Sequence, residues 1–292
     1  MTSPSILLFG KVGQVGWELR RTLAGMGRLT CVDYPEVDLT SPDSIRKWIQ
    51  SSSPDIIVNA AAYTAVDKAE TETALAMKIN GEAPGIMAVE AGKRGALLVH
   101  YSTDYVFDGT KSSPYVEEDA PNPLGAYGRT KLAGDQAILQ AGCDHLIFRL
   151  CWVYGARGGN FMLTMMRLAR EREKLRVVQD QVGCPTWSRM IAEATALALK
   201  TTIAPANAGP RQGLYHLCAS GQTSWHGFAS AIVERMPADD RKCREVEAIS
   251  SADYPTPTKR PAYSVMSGDK LARDFGLRLP DWRESLGQVM EK

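Results

Sequence analysis

Residues 5–16 decide the fold and read SILLFGKVGQVG. The first part, residues 5–10, is a short apolar run that ends in a glycine, which is typical of a buried strand. From Val15 onward, apolar residues recur at helical spacing, with Leu19 and Leu23 next in the series. The stretch therefore predicts a strand, a glycine-rich turn and a helix in direct succession.

The turn carries three regularly spaced glycines, Gly10, Gly13 and Gly16. In a dinucleotide-binding turn one glycine permits the tight bend, another lets backbone N–H groups approach a pyrophosphate, and the last lets the helix pack on the sheet. The phosphates then lie at the positive N-terminus of that helix. A glycine-rich turn without a ligand is the alternative. The position between a predicted strand and a predicted helix favours a dinucleotide site, with Gln14 and Val15 beside the phosphates.

The same alternation of strand and helix continues outward through the first half of the chain. Further strands are predicted at 29–33, 55–60, 96–103 and 145–153, and helices after Ser41 and Asp43, at 69–91 and at 127–141. Apolar strands alternating with helices require a parallel sheet covered on both faces. The predicted fold class is α/β, doubly wound, of the Rossmann type.

The alternation of strand and helix becomes less regular after Tyr154, where a glycine-rich segment begins. A turn is predicted over 204–213, and the proline-rich run 254–261 excludes helix and central strand. We therefore predict a dinucleotide-binding domain at 1–154 and a smaller α/β substrate domain at 155–292, an arrangement that allows the two to interleave.

Composition excludes several classes of function. The 292 residues include 34 Lys and Arg against 33 Asp and Glu, and this balance argues against a nucleic-acid or membrane-surface partner. No apolar run reaches the roughly 20 residues that a bilayer requires, and the N-terminal sequence lacks the features of a signal peptide, so we expect a cytoplasmic protein. Six scattered cysteines and four histidines show no metal-binding spacing, so no metal site is predicted.

Two polar residues bear on the choice of cofactor. Asp33 ends the second predicted strand, where an acidic side chain accepts hydrogen bonds from the adenosine ribose of a bound dinucleotide. This carboxylate favours NADH, whereas Lys11 in the glycine turn could offset it and keeps NADPH open. A surface aspartate at a strand end is the alternative for Asp33.

A second motif, Tyr127-Gly128-Arg129-Thr130-Lys131, begins a predicted helix. Residues four apart lie on one helix face, about 6 Å apart along the axis, so the ammonium can lie beside the phenol. A nearby cation favours phenolate and makes the phenol a better acid toward a carbonyl that accepts hydride. Thr103, at the end of a predicted strand, can orient the substrate oxygen against that phenol. A surface tyrosine with a solvated lysine is the alternative.

These motifs occur in six longer strings: GKVGQVGWEL (10–19), NAAAYTAVDKAE (59–70), HYSTDYVFDG (100–109), YGRTKLAGD (127–135), FRLCWVYG (148–155) and YHLCASGQTSWHGFA (215–229). Together they resemble the extended short-chain dehydrogenase/reductase family, and within it the dTDP-4-dehydrorhamnose reductases, over essentially the whole chain. The resemblance implies NADPH- or NADH-dependent reduction of the C4 ketone of dTDP-4-dehydro-6-deoxy-L-mannose to dTDP-L-rhamnose.

The resemblance also implies roles for particular positions. Tyr127 would be the proton donor, Lys131 its electrostatic partner and ribose ligand, and Thr103 the tuning hydroxyl. Cofactor contacts are implied for Gly13, Gln14, Val15, Asp33, Asp38, Leu39, Ala62, Tyr63, Thr64 and Tyr101, and sugar contacts for Thr103, Asp104 and Trp152. Arg260 is a candidate for the diphosphate, since arginine suits bidentate phosphate contacts; a solvated loop charge is the alternative.

Two positions depart from the family pattern. Cys151 replaces a small hydroxyl residue before Trp152, and Arg189 occupies a place where some relatives carry a carboxylate linked to magnesium-dependent dimerisation. Glu18 alone is a poor site for a hard cation, so a homodimer is allowed but a magnesium-bridged one is not expected. A non-catalytic, cofactor-binding regulatory subunit and a reductase or epimerase of another nucleotide sugar are the alternative functions.

Overall fold

The computed structural model describes residues 3–203 and 212–291, so residues 204–211 of the predicted turn lie outside the described residues. The strands in chain order are β1 (Ser5–Phe9), β2 (Arg28–Val32), β3 (Ile56–Asn59), β4 (Leu97–Thr103), β5 (His145–Leu150), β6 (Val153–Tyr154), β7 (Lys174–Val178), β8 (Val182–Gly183), β9 (Thr186–Trp187), β10 (Gln212–His216), β11 (Thr223–Ser224) and β12 (Glu245–Ile249). The helices are α1 (Gln14–Thr22), α2 (Pro42–Ser52), α3 (Thr73–Met77), α4 (Ala83–Gly92), α5 (Ala126–Ala141), α6 (Phe161–Glu171), α7 (Ser188–Thr202), α8 (Trp225–Arg235), α9 (Asp269–Phe275) and α10 (Trp282–Met290).

Six of these strands form a parallel sheet in the order β2-β1-β3-β4-β5-β10. The chain adds β2 on one side of β1 and β3 on the other, so the order reverses between β1 and β3. Ligands of doubly wound sheets bind at the carboxyl ends of the strands at such a reversal. The topology therefore places the glycine turn after β1 at the expected binding edge.

Apolar side chains cover both faces of this sheet. One core joins β-strand residues such as Ile6 and Leu8 to Leu19 of α1 and Ile191 of α7. The opposite core joins Leu7 and Phe9 to the helices α2, α4 and α5. This double coverage explains why the strands read as continuous apolar runs, and it confirms the predicted α/β, doubly wound class.

The second half of the chain divides between the sheet and a separate core. β10 pairs in parallel with β5, and α7 packs against α1. Helices α6, α8 and α10 enclose their own apolar cluster beside the short pairs β6–β9 and β7–β12. Elements after residue 155 thus complete the dinucleotide-binding sheet; the division at 154/155 stays a prediction.

Two predicted elements differ in detail. The helix predicted at 69–91 is a 3-10 turn at Lys68–Glu70 followed by α3, a π-helical segment at Lys78–Glu82 and α4. The wider π turn contains Asn80, whose side chain bonds both the N–H and the C=O of Tyr63, at 2.8 and 3.0 Å. The strand predicted at 145–153 ends at Leu150, because Trp152 adopts a left-handed backbone with φ of 45°. No helix within the described ranges combines the length and apolar character needed to cross a bilayer.

Candidate active site

A cavity of about 670 Å³ opens at the carboxyl ends of β1, β3 and β4. This volume is in the range of pockets that hold cofactors and small ligands. Its walls bring together segments from both halves of the chain: Gly10, Val12, Gly13, Gln14, Val15, Asp33, Ala60, Ala61, Ala62, Thr64, Val66, Tyr101, Ser102, Thr103, Asp104, Tyr105, Tyr127, Lys131, Leu150, Trp152, Val153, Gly158, Gly159 and Trp225.

The glycine turn is shaped by close backbone contacts. Gly10 has φ of +86°, and a Cβ at Gly16 would lie 1.8 Å from the carbonyl oxygen of Gly10. Glycine is required at both positions, at Gly10 for the left-handed backbone and at Gly16 for the packing of α1 on the turn. Gly13 has no such crowding and caps α1, whose first turn has no acidic residue. The turn therefore presents free space and a helix N-terminus, which fit a dinucleotide pyrophosphate.

The adenosine end of the cavity is held by a small charged cluster. The Asp33 carboxylate accepts from the N–H groups of Val12 at 3.0 Å and Tyr34 at 2.9 Å. Glu36 accepts from the Asp33 N–H at 3.2 Å and forms an ion pair with Lys11. This ion pair lowers the pKa of Glu36. Two carboxylates thus face this end, and Lys11 is paired with one of them.

The phenol and hydroxyl predicted to work together do meet in the cavity. Tyr127 is the second residue of α5, and Thr103 is the last residue of β4. Their hydroxyls form a hydrogen bond, and Thr103 Oγ1 also donates to Asp104 Oδ1 at 3.0 Å. Burial raises the pKa of Tyr127 to about 12, although the bond to Thr103 opposes the rise.

This result corrects the expected electrostatics of Tyr127. The sequence predicts that Lys131 lowers the pKa of the phenol, yet desolvation dominates here. Lys131 Nζ donates to the carbonyl oxygen of Tyr101 at 2.6 Å and lies 3.2 Å from His100 Nε2. Burial lowers the pKa of Lys131 to about 8, and the charge of Asp135 opposes the change. The cationic character expected of Lys131 is therefore weakened by its surroundings.

Asp104 is a second buried acid on the cavity wall. Its carboxyl accepts from Thr103 and from the Cys151 thiol, the latter at 3.2 Å. Burial raises the pKa of Asp104 to about 6, and hydrogen bonds from Ser264, Cys151 and Thr103 limit the rise. The departure at Cys151 thus lies behind the acid rather than on the cavity wall.

Two tryptophans form the wall opposite the sheet. Trp152 stacks on Trp225 with ring centroids 3.5 Å apart and planes 7° apart. The backbone of Gly183 lies under the Trp152 ring, since a Cβ there would lie 2.5 Å from the ring edge. Trp225 begins α8, so the second half of the chain supplies half of this aromatic wall.

Several predicted contacts lie outside the cavity lining. Gly16 acts by packing, and the Asp38 carboxylate accepts from the N–H and hydroxyl of Thr40. Leu39 packs against the apolar core next to α2, and the Tyr63 hydroxyl donates to Glu72 at 2.6 Å. Arg260 pairs with Asp67 at 2.9 Å. The roles of these five residues in binding stay predictions.

Sequence reasoning did not identify other residues of the lining. These are Val12, Ala60, Ala61, Val66, Ser102, Tyr105, Leu150, Val153, Gly158, Gly159 and Trp225. Ala60 ends a predicted strand and Ala61 directly follows it, which was a usable signal. Trp225 carries no local signal, because only the fold brings α8 to this edge.

The position of Glu18 bears on the proposed absence of a magnesium bridge. Its carboxylate is 9% exposed and lies 3.5 Å from Arg189 Nε and 3.6 Å from Arg21 Nη1. The positive charges of two guanidinium groups in the same chain therefore balance the negative charge of this carboxylate.

The fold and the site together define a class of protein. A doubly wound sheet with a glycine turn at its reversal point, and a tyrosine, lysine and threonine in the adjoining cavity, is the arrangement of a nicotinamide-dependent short-chain dehydrogenase/reductase. Residues 4–292 match the family model described as the RmlD substrate binding domain. The chain belongs to this family, that of the dTDP-4-dehydrorhamnose reductases.

Relatives over nearly the full length agree with this assignment. The chain is 50% identical over 287 residues to the dTDP-4-dehydrorhamnose reductase of Burkholderia thailandensis, covering 97% of this chain and 96% of that protein. It is 44% identical over 294 residues to the enzyme of the same name from Escherichia coli, covering 99% and 97%. The crystal structure of the Bacillus anthracis dTDP-4-dehydrorhamnose reductase in complex with NADP has a TM-score of 0.90 at 33% identity, covering 99% of each chain.

Proposed function

We propose that the chain catalyses the NADPH- or NADH-dependent reduction of the C4 ketone of dTDP-4-dehydro-6-deoxy-L-mannose, the last step in forming dTDP-L-rhamnose. The family membership and the relatives named as dTDP-4-dehydrorhamnose reductases support the reaction. The observation that carries it in this chain is the meeting of Tyr127, Thr103 and Lys131 at the binding edge of the sheet.

The residues of the cavity fit a dinucleotide. The backbone of Gly10–Val15 would hold the pyrophosphate, Asp33 the adenosine ribose and Lys131 the nicotinamide ribose. The chemistry that bound NAD(P)H would supply at this site is a hydride for the carbonyl carbon. The stacked rings of Trp152 and Trp225 would cover one side of the bound ligands.

In this proposal Tyr127 delivers the proton that the reduced oxygen requires. Thr103 would turn its hydroxyl proton from Asp104 to the same oxygen and fix the distance of that oxygen from the phenol. A phenol with a pKa near 12 stays protonated at neutral pH, so the donor is present when the alkoxide forms. Asp104 and Trp152 line the part of the cavity beyond Thr103, where the sugar would lie, and Arg260 is the proposed diphosphate contact.

The proposal also covers the cellular location, the ligand and the oligomeric state of the enzyme. We expect a cytoplasmic protein whose ligand is a dTDP-sugar, with neither nucleic acid nor membrane as a partner. A homodimer is compatible with it, and the pairing of Glu18 with Arg189 and Arg21 argues against magnesium as the bridge.

The test is the replacement Tyr127→Phe, assayed with NADH and NADPH against 4-keto dTDP-, UDP- and GDP-sugars. We expect kcat to fall by about 10²–10⁴-fold because the proton donor is lost, while cofactor affinity stays near that of the wild type. Arg129→Gln, on the exposed face of the same helix, is the control and should keep full activity.

A wild-type chain that binds the cofactor but reduces none of these sugars would support a non-catalytic regulatory subunit instead. A chain that is purified with NAD tightly bound and interconverts sugars would support an epimerase. Full activity of the phenylalanine variant would remove Tyr127 from the mechanism.

A further inference from the structure

A buried histidine lies directly behind the lysine of the site. His100 is fully buried in β4, and its Nε2 is 3.2 Å from Lys131 Nζ. Lys131 is 1% exposed, and the same Nζ donates to the carbonyl oxygen of Tyr101 at 2.6 Å. The two nitrogens are within hydrogen-bonding distance, and their donor and acceptor roles depend on the tautomer of the ring.

The backbone fixes the orientation of the amide on the far side of the ring. Asn59 Oδ1 accepts from the N–H of Ala61 at 3.2 Å, so Asn59 Nδ2 is the atom that faces His100 Nδ1, at 3.1 Å. An amide nitrogen is a donor and has no acceptor capacity. His100 Nδ1 is therefore the acceptor of this bond, and it carries no proton.

The ring is neutral, because burial holds the pKa of His100 well below its usual range. A neutral imidazole has one N–H group, and here that group is on Nε2. The Nε2–H then points at Lys131 Nζ. An ammonium has three donors and no acceptor, so a charged Lys131 would place two donors against each other. A neutral amine can accept from Nε2–H while it donates to Tyr101.

We propose that His100 is a positioning residue that biases the protonation of Lys131: with Nδ1 occupied by Asn59, it presents Nε2–H and favours the uncharged amine over the ammonium in the chain without cofactor. An ammonium at Lys131 requires the ring to offer an unprotonated Nε2. The charge of Lys131 and the tautomer of His100 therefore change together.

The other charged and titratable groups around Lys131 do not remove this constraint. Asp135, one turn along α5, favours the ammonium, but Arg149 Nε at 3.4 Å and Ser102 Oγ at 2.9 Å both donate to its Oδ2. Arg149 on β5 adds a positive charge on the same side. Tyr127 and Asp104 lie toward the cavity, where burial favours the neutral form of each. The direct partners of Lys131 on β4 remain His100 and the carbonyl oxygen of Tyr101.

The first test reads the tautomer in the full chain without ligand. The chain has four histidines, so ¹⁵N-histidine labelling gives few ring signals, and His100→Gln identifies those of His100 by their loss. We expect the long-range ¹H–¹⁵N pattern of a ring protonated on Nε2. Asn59→Asp is the matched control, since a carboxylate accepts from Nδ1–H and should move the proton to Nδ1. A wild-type ring protonated on Nδ1, or on both nitrogens, overturns the proposal.

The second test follows the consequence for Lys131 and rests on the proposed function. Glutamine at position 100 offers an amide oxygen that accepts from an ammonium without adding charge, so it should raise the pKa of Lys131. We expect the pH-dependent limb of NADH binding and of kcat/KM to move upward by about one pH unit in His100→Gln, a tenfold change in the proton equilibrium. A limb that stays in place contradicts the proposal. Loss of the reductase assignment would leave the tautomer result intact, so the two can fail separately.

Discussion

Cofactor choice depends on single residues at the adenosine end of the cavity. A 2′-phosphate there would face the carboxylates of Asp33 and Glu36, and the one nearby cation in the glycine turn, Lys11, is paired with Glu36. The carboxylate of Asp33 is also the acceptor that suits free ribose hydroxyls. We therefore expect the chain to prefer NADH to NADPH.

Glu36→Gln should shift this preference toward NADPH. The change removes one negative charge and releases Lys11 to meet a 2′-phosphate, so we expect kcat/KM for NADPH to rise several-fold with little change for NADH. Steady-state assays with both cofactors at fixed ionic strength measure the ratio. Lys11→Met is the reciprocal control and should lower the NADPH value. An unchanged ratio in both variants would show that this ion pair does not select the cofactor.

Some residues of the site could be predicted from the sequence, whereas many of their contacts could not. Tyr127 and Lys131 share a helix face by their spacing alone, and Thr103 ends a strand that reads clearly as apolar. Contacts that only the fold creates are not revealed in this way: His100 meets Lys131 because β4 passes beneath α5, and Glu36 meets Lys11 across a turn. Burial raises the pKa of Tyr127, and the spacing of Tyr127 and Lys131 in the sequence does not reveal this burial.

At the scale of elements, the join between β1 and α1 is the most constrained local structure. α1 begins immediately after the turn, and its third residue, Gly16, presses on the carbonyl of Gly10. The atom that a new Cβ would meet belongs to the backbone, which has no side-chain freedom to move away. The helix α1 can therefore pack this closely against the turn only if residue 16 is glycine.

Gly16→Ala should therefore destabilise the protein and weaken cofactor binding together. Overpacking of this kind costs about 1–3 kcal/mol, and contact with fixed backbone places the expected loss at the upper end. Urea unfolding measures the stability, and fluorescence titration with NADH measures the affinity. Gly25→Ala, where a Cβ would meet nothing within 4 Å, is the matched control. Equal stability of the two variants would contradict the packing role of Gly16.

Elements near the glycine turn were predictable because their signals are local. The strands β1, β3 and β4 and the helix α5 follow from apolar runs and periodicity. The π turn around Asn80 could not be predicted in this way. It is associated with hydrogen bonds between the Asn80 amide and the backbone of Tyr63, which is 17 residues away in the sequence. The early end of β5 has a similar origin, because the stacked position of Trp152 requires a backbone that no strand can adopt.

At the scale of the whole molecule, the site depends on segments far apart in sequence. β10 adds a sixth strand to a sheet otherwise made from the first half, and α8 brings Trp225 to the cavity. The loop before Pro261 is tied to the loop after β3, where Thr258 bonds Asp67 and Val66 and Arg260 pairs with Asp67. Such long-range pairings leave no periodic signal, so the sequence allows the two predicted domains to interleave without showing which elements do so.

The pairing of β10 with β5 also makes stability depend on pH. It sets His216 opposite Arg149, and the imidazole is fully buried. Burial, and then the positive charge of Arg149, lower the pKa of His216 from 6.5 to about 3. The unfolded chain therefore takes up a proton that the folded chain rejects. Stability from this residue is complete above about pH 6.5 and is lost progressively as the pH falls toward 3.

His216→Gln should flatten the acid limb of the stability curve. The wild type is expected to lose on the order of 4 kcal/mol more than the variant between pH 6.5 and 3, as read from urea unfolding at a series of pH values. Asp104, whose pKa is raised to about 6, acts in the opposite direction over this range, but it is present in both proteins and cancels in the difference. His226→Gln, at a partly exposed histidine that bonds the carbonyl of Val246, should follow the wild type. Parallel curves for the wild type and His216→Gln would mean that the imidazole accepts its proton without unfolding, and that β10 is held to the sheet less tightly than its burial implies.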